Sequence, residues 1–263
     1  MKRIVIALLA LALSSFGTPA RADDPPKPDW PKFEPLWPAG APGALGKDDK
    51  DTPAMMVFLP PASAPRTGTG VVIFPGGGYW TVALGHEGVE VARFLNGLGV
   101  AAFVVRYRHA PYYRHPIPLT DAQRAIRIVR SRAESYGLVG DRIGVMGFSA
   151  GGHLAATTST RFDGGNLKAT DAIERASARP DFAVLGYPVI SFVAPYAHGG
   201  SADGLIGKDG DVRLLDELSA DKRVTAWTPP TFLFHTNEDN GVPPENSISY
   251  YLALRTVRVP AEL

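Results

Sequence analysis

The sequence predicts an α/β fold in which a mostly parallel, doubly wound sheet is flanked by helices. From Thr69 onward, short apolar runs alternate with longer stretches whose apolar residues recur at helical spacing. The apolar runs are continuous, which is typical of strands buried on both faces of a parallel sheet. No internal repeat and no long structureless insertion interrupts the alternation, so one doubly wound sheet accounts for it.

The first half of this region supplies two strands, a helix and a third strand. A strand is predicted near residues 55–59, and the apolar run 71–74 is a buried strand that ends at a proline and three glycines. A helix is predicted over residues 86–98, since its apolar residues share one face and Gly99 follows its end. Residues 100–105 form the next buried strand.

The second half continues the pattern. Thr120 is predicted to cap a helix that Gly137 ends, and the last helix is predicted to begin near Pro243. Three more strands are predicted in this half, at residues 142–146, 182–187 and 231–235. Residues 187–229 are rich in proline and glycine, so we expect an open cap of short pieces and no helical lid.

The chain begins with the pattern of a secretory signal. Lys2 and Arg3 precede an apolar run over residues 4–13, and the Ala-Arg-Ala motif at residues 20–22 is a cleavage site. We therefore expect cleavage after Ala22 and a secreted or periplasmic protein. The apolar run is too short to span a bilayer and no later run is long enough, so no membrane segment is expected.

The charge balance argues against two kinds of partner, and the absence of cysteine excludes stabilisation by disulfides. Residues 23–263 carry 24 Lys and Arg against 26 Asp and Glu, which leaves a formal charge of −2. A chain without a basic excess attracts neither nucleic acid nor an anionic membrane surface. The sequence contains no cysteine, so an ordinary hydrophobic core must stabilise the exported domain.

The composition divides the chain into three parts: residues 1–22 as the signal, residues 23–51 as a proline- and glycine-rich arm, and residues 52–263 as the domain. The arm contains four large apolar residues that we expect to attach it to the domain: Trp30, Phe33, Leu36 and Trp37. A disordered leader as far as Pro35 is the alternative interpretation.

Ser149 is the candidate nucleophile. It occupies the centre of a Gly-x-Ser-x-Gly pattern over residues 147–151, between an apolar strand and a helix of small residues. This is the strand, tight turn and helix in which a serine is held on a strained corner with its hydroxyl exposed. Glycines are needed because neighbouring backbone approaches the corner too closely for side chains.

Acyl transfer also needs hydrogen-bond donors for the oxyanion. In a fold of this kind one donor is the amide that follows the nucleophile, here that of Ala150. The others come from a glycine loop after an earlier strand, and residues 75–79, Pro-Gly-Gly-Gly-Tyr, form such a loop.

The acidic partner of the serine is expected just beyond a late strand. Glu238 and Asp239 form the acidic pair in that place, after the strand at residues 231–235, and the sequence does not separate them. In this architecture the order is serine, then acid, then histidine, yet no histidine follows His235. We therefore expect the chain to end before the last strand and the loop that carries the catalytic histidine.

The histidines that are present have other interpretations. His153 lies one helical turn behind Ser149, on the side that packs on the sheet, so a structural role is expected. His235 is expected to be structural as well. His86 either lines the pocket or caps its helix, and it is a candidate for substrate contact together with Tyr79. No two histidines have the spacing of metal ligands, so neither a metal nor a cofactor is expected.

Five segments together resemble a known family of esterases: residues 75–79, 85–88, 121–127, 147–155 and 230–236. They are similar to α/β-hydrolases of the acetyl-xylan esterase and feruloyl esterase-like type, also called BD-FAE or polysaccharide acetylesterases, over about residues 52–263. The resemblance implies an α/β-hydrolase fold, Ser149 as nucleophile, and Gly77, Gly78 and Ala150 as oxyanion donors. It implies the acid at Glu238 or Asp239 and a histidine from a later loop.

The predicted function is that of a secreted serine esterase that removes acetyl or similar small acyl groups from plant polysaccharide. Its partner is then an acylated carbohydrate or another small ester. Two alternatives stay open: a peptidase of the prolyl-oligopeptidase type, which shares the serine corner and the residue order, and a noncatalytic binding protein of the same fold that has lost its histidine.

Overall fold

The computed structural model describes residues 29–263, and the predicted signal over residues 1–22 lies outside them. Its centre is one sheet of eight strands in the order β1-β2-β4-β3-β5-β6-β7-β8. The strands, in chain order, are β1 Phe33–Pro35, β2 Ala54–Phe58, β3 Gly70–Phe74, β4 Ala101–Arg106, β5 Ile143–Phe148, β6 Ala183–Gly186, β7 Thr231–Phe234 and β8 Ala261–Glu262.

Six of the eight strands form the parallel part of the sheet. β3 to β8 pair in parallel, whereas β1 and β2 add an antiparallel edge beside β4. Successive residues of a strand point to opposite faces. In β3, Val72 and Phe74 contribute to the apolar cluster on one face, and Val71 and Ile73 contribute to the cluster on the other. Both faces are therefore covered, as the continuous apolar runs predict.

Six helices accompany the sheet in the described part of the chain. They are α1 Glu90–Gly97, α2 Ile117–Ser131, α3 Ser149–Thr160, α4 Gly199–Ile206, α5 Arg213–Glu217 and α6 Glu245–Thr256. Residues of α2, α3 and α6 are buried in one cluster, and Ala92 of α1 is buried in the other. The sheet is thus covered by helices on both faces, which confirms the predicted fold class.

Three helix boundaries differ from the prediction. α2 ends at Ser131, and Gly137, with a φ of +68°, instead ends a short 3-10 helix, Glu134–Tyr136. Residues Gly85–Val89 form a π-helical turn before α1, in place of one continuous α-helix. α2 begins at Ile117, so Thr120 lies inside the helix and its hydroxyl donates to the carbonyl of Pro116. Prolines suit the first turn of a helix, where their missing N–H has no partner to lose, and this moves the start ahead of the threonine.

The prediction that the chain ends before the strand that follows β7 is wrong. Ala261 and Glu262 form β8 and pair in parallel with Thr231 and Phe232 of β7. After α6 the chain reverses at Arg258, whose φ is +61°, and the backbone N–H of Thr231 donates to the carbonyl of Pro260. Two residues are too few for a strand to be recognised from apolar periodicity.

The described part of the arm lies against the edge of the sheet. β1 pairs with β2, Leu36 is buried, and Trp37 packs on the same cluster. The backbone N–H of Leu36 donates to the carbonyl of Pro53, which closes the arm onto the domain. Between residues 29 and 263, no helix combines the length and apolar character needed to cross a bilayer.

Candidate active site

Ser149 lies at a sharp corner between β5 and α3. Phe148 is extended, Ser149 has a φ of +52°, and the helix continues from there. A Cβ on Gly147 would lie 2.1 Å from the carbonyl oxygen of Gly151, and one on Gly151 would lie 2.0 Å from that of Phe74. The corner therefore forms only with glycine on both sides. A positive φ at a non-glycine residue is strained and is held by its surroundings.

The glycine loop, residues 75–79, lies directly beside the serine. It follows β3, which pairs in parallel with β5, so both chain segments leave the sheet at the same edge. A Cβ on Gly76 would lie 2.7 Å from the carbonyl oxygen of Phe148 and 3.0 Å from the Cβ of Ser149. The close approach of the two segments therefore requires glycine at position 76 as well.

Hydrogen bonds orient the peptides of the glycine loop. The carbonyl of Gly76 accepts from the backbone N–H of Ala83 at 3.0 Å, and that of Gly77 accepts from those of Trp80 and Thr81. In a trans peptide the N–H points away from the C=O, so these bonds turn the N–H groups of Gly77 and Gly78 to the opposite side. Within residues 29–263 neither N–H has a protein acceptor.

The amide of Ala150 is a third available donor. Ala150 is the second residue of α3, and the first amides of an α-helix have no partner within the helix. The positive end of the helix dipole lies at the same place. Anions are favoured there, so this corner suits an oxyanion.

The two acidic candidates differ in how they are held. Oδ1 of Asp239 accepts from the backbone N–H groups of Gly241 and Val242, both at 2.9 Å, and the side chain is mostly covered. Glu238 is exposed and turns back to the hydroxyl of Thr236, which lowers the pKa of its carboxyl. Asp239 is therefore the carboxylate with a defined orientation at the carboxyl edge of the sheet.

His153 and His235 use both ring nitrogens in other contacts. Nε2 of His153 donates to the carbonyl of Leu218 at 2.7 Å, and the hydroxyl of Tyr79 donates to its Nδ1 at 2.8 Å. Nε2 of His235 donates to the carbonyl of Val242, and its Nδ1 accepts from Ser247. Burial lowers the pKa of His153 to about 4, so it is neutral in the folded protein.

The predicted contact between substrate and the Tyr79 side chain is wrong. Tyr79 is 1% exposed, because its ring packs against Tyr107 and His153 in the core. Its neighbour Trp80 is 44% exposed and donates through Nε1 to the carbonyl of Gly200. Two adjacent aromatic residues in a turn point in different directions, and the sequence does not tell which of them faces outward.

His86 is exposed, and its Nε2 lies 3.8 Å from Oε1 of Glu87. The π-helical turn has no side-chain cap, so the interpretation of His86 as a helix cap is wrong. Its contact with substrate stays a prediction. Glu87, by contrast, is buried, and its carboxylate lies 2.8 Å from the position that a Cβ on Gly76 would take. The sequence alone predicted no role in the site for Glu87, although this acid follows two residues after Gly85 in one of the motif segments.

The segment between β6 and β7 consists of short pieces, as predicted. α4 and α5 contain eight and five residues. α4 packs directly on the glycine loop, because a Cβ on Gly204 would lie 2.3 Å from the carbonyl oxygen of Gly78. No group of three or more potential metal-binding side chains occurs in the described part of the chain.

A mostly parallel sheet with helices on both faces, a serine on a strand–helix corner, and a glycine loop beside it define an α/β-hydrolase. The profile of the BD-FAE family matches residues 55–254, and the chain belongs to this family. The resemblance inferred from the motifs is thereby confirmed.

Relatives agree with this assignment. The chain is 36% identical over 215 residues to an acetylxylan esterase of Xylanibacter ruminicola, a match that covers 80% of this chain and 42% of that protein. It is 36% identical over 196 residues to endo-1,4-beta-xylanase B of Butyrivibrio fibrisolvens, covering 72% and 30%. The chain spans less than half the length of these two curated relatives.

A solved structure is similar as well. The crystal structure of an acetyl ester-xyloside bifunctional hydrolase from Caldicellulosiruptor lactoaceticus has a TM-score of 0.80 at 42% identity, with 90% of this chain and 86% of that chain covered. Two of these similar proteins are named as an esterase and an acetyl ester hydrolase, which agrees with the family assignment.

Proposed function

We propose that this chain is a serine esterase that removes small acyl groups, acetyl above all, from polysaccharide. The observation that carries the proposal is the geometry at Ser149, where a nucleophile with a φ of +52° adjoins two free amides of a glycine loop. A strained corner beside unpaired donors is the arrangement that acyl transfer uses.

In the proposed reaction, Oγ of Ser149 attacks the acyl carbon, and the carbonyl π electrons move onto oxygen. The N–H groups of Gly77, Gly78 and Ala150 donate to this oxyanion. Each such donor contributes about 3–4 kcal/mol to the transition state. Collapse of the intermediate releases the alcohol as its oxygen takes a proton, and water then attacks the acyl-enzyme by the same sequence to release the acid.

The reaction also needs a base for the proton of Ser149. An imidazole oriented by a carboxylate takes that role in enzymes of this chemistry, and Asp239 is the carboxylate we assign. The hydrogen bonds that the histidines form in the described part of the chain all lead to other groups. Our proposal therefore assigns the nucleophile, the oxyanion donors and the acid, and it assigns the base to none of these histidines.

The proposed substrate class rests on three observations. The relatives named above include an acetylxylan esterase and an acetyl ester-xyloside hydrolase. The short pieces between β6 and β7 form no helical lid, and long acyl chains need an apolar enclosure. Trp80 is exposed two residues after Gly78, where its ring offers a flat apolar surface to a sugar.

Export is part of the proposal, and its support is the signal pattern of residues 1–22, with cleavage after Ala22. Amino-terminal sequencing of the protein recovered outside the cytoplasm should begin at Asp23. Recovery of the uncleaved chain in the cytoplasm alone would contradict export.

The test of the nucleophile is Ser149→Ala, with the exposed Ser135→Ala as the matched control. Wild type and S135A should form a covalent adduct with a fluorophosphonate, detected as a mass increase on the peptide that contains Ser149, and S149A should not. With added imidazole as the base, turnover of p-nitrophenyl acetate should depend on the same residue, because Ser149 is the nucleophile of the proposed reaction. Equal labelling of S149A would refute the mechanism, and no labelling of the wild type would favour a noncatalytic binding protein.

The test of the substrate class is Trp80→Ala, with Trp227→Ala as the matched control. Trp227 is 75% exposed and precedes β7, so it lies at the sheet edge opposite Ser149. W80A should raise KM for acetylated xylo-oligosaccharides about tenfold, as the loss of one aromatic contact costs about 1.5 kcal/mol. Its kinetics with p-nitrophenyl acetate should match those of W227A. Unchanged KM for the oligosaccharides would contradict this contact.

A further inference from the structure

One peptide of the glycine loop is held from both sides. The unit between Pro75 and Gly76 has its C=O bonded to the hydroxyl of Tyr107 at 2.7 Å. Its N–H donates to Oε2 of Glu87 at 2.5 Å. Because the peptide is planar, two bonds on opposite sides determine its orientation. The next two peptides of the loop carry the free N–H groups of Gly77 and Gly78. Their own carbonyl bonds set the side to which these groups turn, and the Pro75–Gly76 unit sets where the loop starts beside Ser149.

Glu87 also connects the loop to the other side of the site. Its second oxygen, Oε1, accepts from the hydroxyl of Tyr187 at 2.7 Å. Tyr187 follows β6, has a φ of +33°, and packs against Phe148, the residue before the nucleophile. Burial raises the pKa of the Tyr187 phenol, and the hydrogen bond to Glu87 raises it further, so the phenol keeps the proton that it donates. Glu87 thereby joins the segments that follow β3 and β6.

A buried carboxylate at this position lowers the stability of the fold unless its charge forms strong hydrogen bonds. Glu87 is 8% exposed, and the nearest cationic candidate, His86, has its nitrogen 3.8 Å away on an exposed side chain. A buried ion without a close counter-ion costs stability, which strong hydrogen bonds offset. A backbone N–H to a carboxylate is such a bond, shorter and stronger than one between neutral groups. The carboxylate therefore holds the Gly76 amide more firmly than a neutral side chain would.

We propose that Glu87 is a positioning residue for the oxyanion donors: by holding the N–H of Gly76, it keeps the N–H groups of Gly77 and Gly78 aimed beside Ser149. The inference rests on the proposed function, since it concerns the same site. Glu87 touches neither the acyl group nor the oxyanion in this role. Its effect is on the transition state, in which the oxyanion exists, and not on binding of the ground-state ester.

Three variants of the full chain test the inference. Glu87→Leu removes the acceptor at similar volume, Glu87→Gln keeps an oxygen that can accept from Gly76, and Tyr187→Phe removes the other bond of Glu87 while the Gly76 bond stays. The primary readout is the rate at which a fluorophosphonate labels Ser149, which needs no turnover. Amide hydrogen exchange over residues 76–79 and thermal unfolding are measured on the same samples.

We expect E87L to label Ser149 about 10- to 100-fold more slowly than wild type, less than the loss of about 100- to 1000-fold when an oxyanion donor is removed, because here the donors are displaced and not deleted. Exchange over residues 76–79 should become faster in E87L. E87Q should label Ser149 within about threefold of the wild-type rate. Y187F should label at a rate between those of E87Q and E87L, because Glu87 keeps one of its two bonds in that variant. Where turnover of p-nitrophenyl acetate is measured, E87L should lower kcat and leave KM within about twofold.

The outcomes separate this inference from the proposed function. Labelling of E87L at the wild-type rate, or slow labelling with unchanged exchange over residues 76–79, would overturn the role of Glu87 and leave Ser149 as nucleophile. If E87L does not fold, E87Q and Y187F decide. Slow labelling of E87Q with normal exchange over residues 76–79 contradicts the inference, and slower labelling of Y187F than of E87Q supports it. A wild type that is not labelled at Ser149 would overturn the proposed function, and the role of Glu87 with it.

Discussion

The buried imidazole of His153 should make the stability of this protein depend on pH. His153 has no exposed surface, and its ring lies 4.4 Å from that of Phe192 and 5.8 Å from that of Tyr79, measured between centroids. Both nitrogens are satisfied in the neutral form, which accepts from Tyr79 and donates to Leu218. A proton added to Nδ1 would bring a charge into the core and displace the hydrogen of the Tyr79 hydroxyl.

The size of the effect follows from the pKa. Burial lowers the pKa of His153 from 6.5 to about 4, with smaller contributions from the positive charges of His115 and Arg161. Above pH 6.5 neither the folded nor the unfolded chain binds the proton. Between 6.5 and 4 only the unfolded chain binds it, so the free energy of unfolding falls as the pH falls, by about 1.4 kcal/mol per pH unit. Below about 4 both states are protonated and the contribution no longer changes.

The assay compares wild type with His153→Gln, which has no imidazole to titrate. Urea unfolding at about pH 7 and about pH 5 gives the loss of stability for each protein, and the wild type should lose about 2 kcal/mol more than the variant. The difference removes the contribution of carboxylates that titrate in both proteins. A second readout, the NMR titration of the His153 ring in the wild type, should show no protonation until the pH approaches 4.

Two results would refute this reasoning. Equal losses for wild type and H153Q would mean that the imidazole keeps an ordinary pKa in the fold. A ring that titrates near 6.5 while the protein stays folded would mean that the pocket around Phe192 and Tyr79 admits the charge, contrary to the burial and hydrogen bonds described above.

Three further predictions concern the site. With added imidazole as the base, Asp239→Asn should lower turnover of p-nitrophenyl acetate more than Glu238→Gln does, because only Asp239 is oriented by backbone amides. The reverse ranking would make Glu238 the acid. Added imidazole should accelerate turnover of p-nitrophenyl acetate by the wild type more than by S149A, since no described histidine is hydrogen-bonded to Ser149. An equal rate with and without imidazole would contradict this. Gly151→Ala should destabilise the protein by about 1–3 kcal/mol and abolish labelling of Ser149, because its Cβ would lie 2.0 Å from the carbonyl oxygen of Phe74. A melting temperature equal to that of the wild type would show that the corner has room for the methyl group.

Local signals predicted the strands and the corner at Ser149 because their causes are local. A continuous apolar run describes a strand buried on two faces, whichever strands lie beside it. Gly147 is likewise required by a backbone atom only four residues away, the carbonyl oxygen of Gly151, whereas Gly151 is required by the backbone of Phe74 and Pro75, which the sheet places beside it. The starts of α1 at Glu90 and of α2 at Ile117 could not be predicted from apolar periodicity. A π-helical turn and two early prolines shift these boundaries without changing the periodicity.

The sequence by itself determined the fold class, the family, the nucleophile candidate and the glycine loop, since each depends on residue types at short spacing. The tertiary structure decided the rest. Residues 76 and 87 meet across the end of β3, residues 87 and 187 across a hundred positions, and residues 79 and 153 in the core. Which of two adjacent aromatic residues is buried, which of two adjacent acids is oriented, and what a buried carboxylate holds are set by contacts between distant segments, and such contacts exist only once the sheet has brought those segments to one edge.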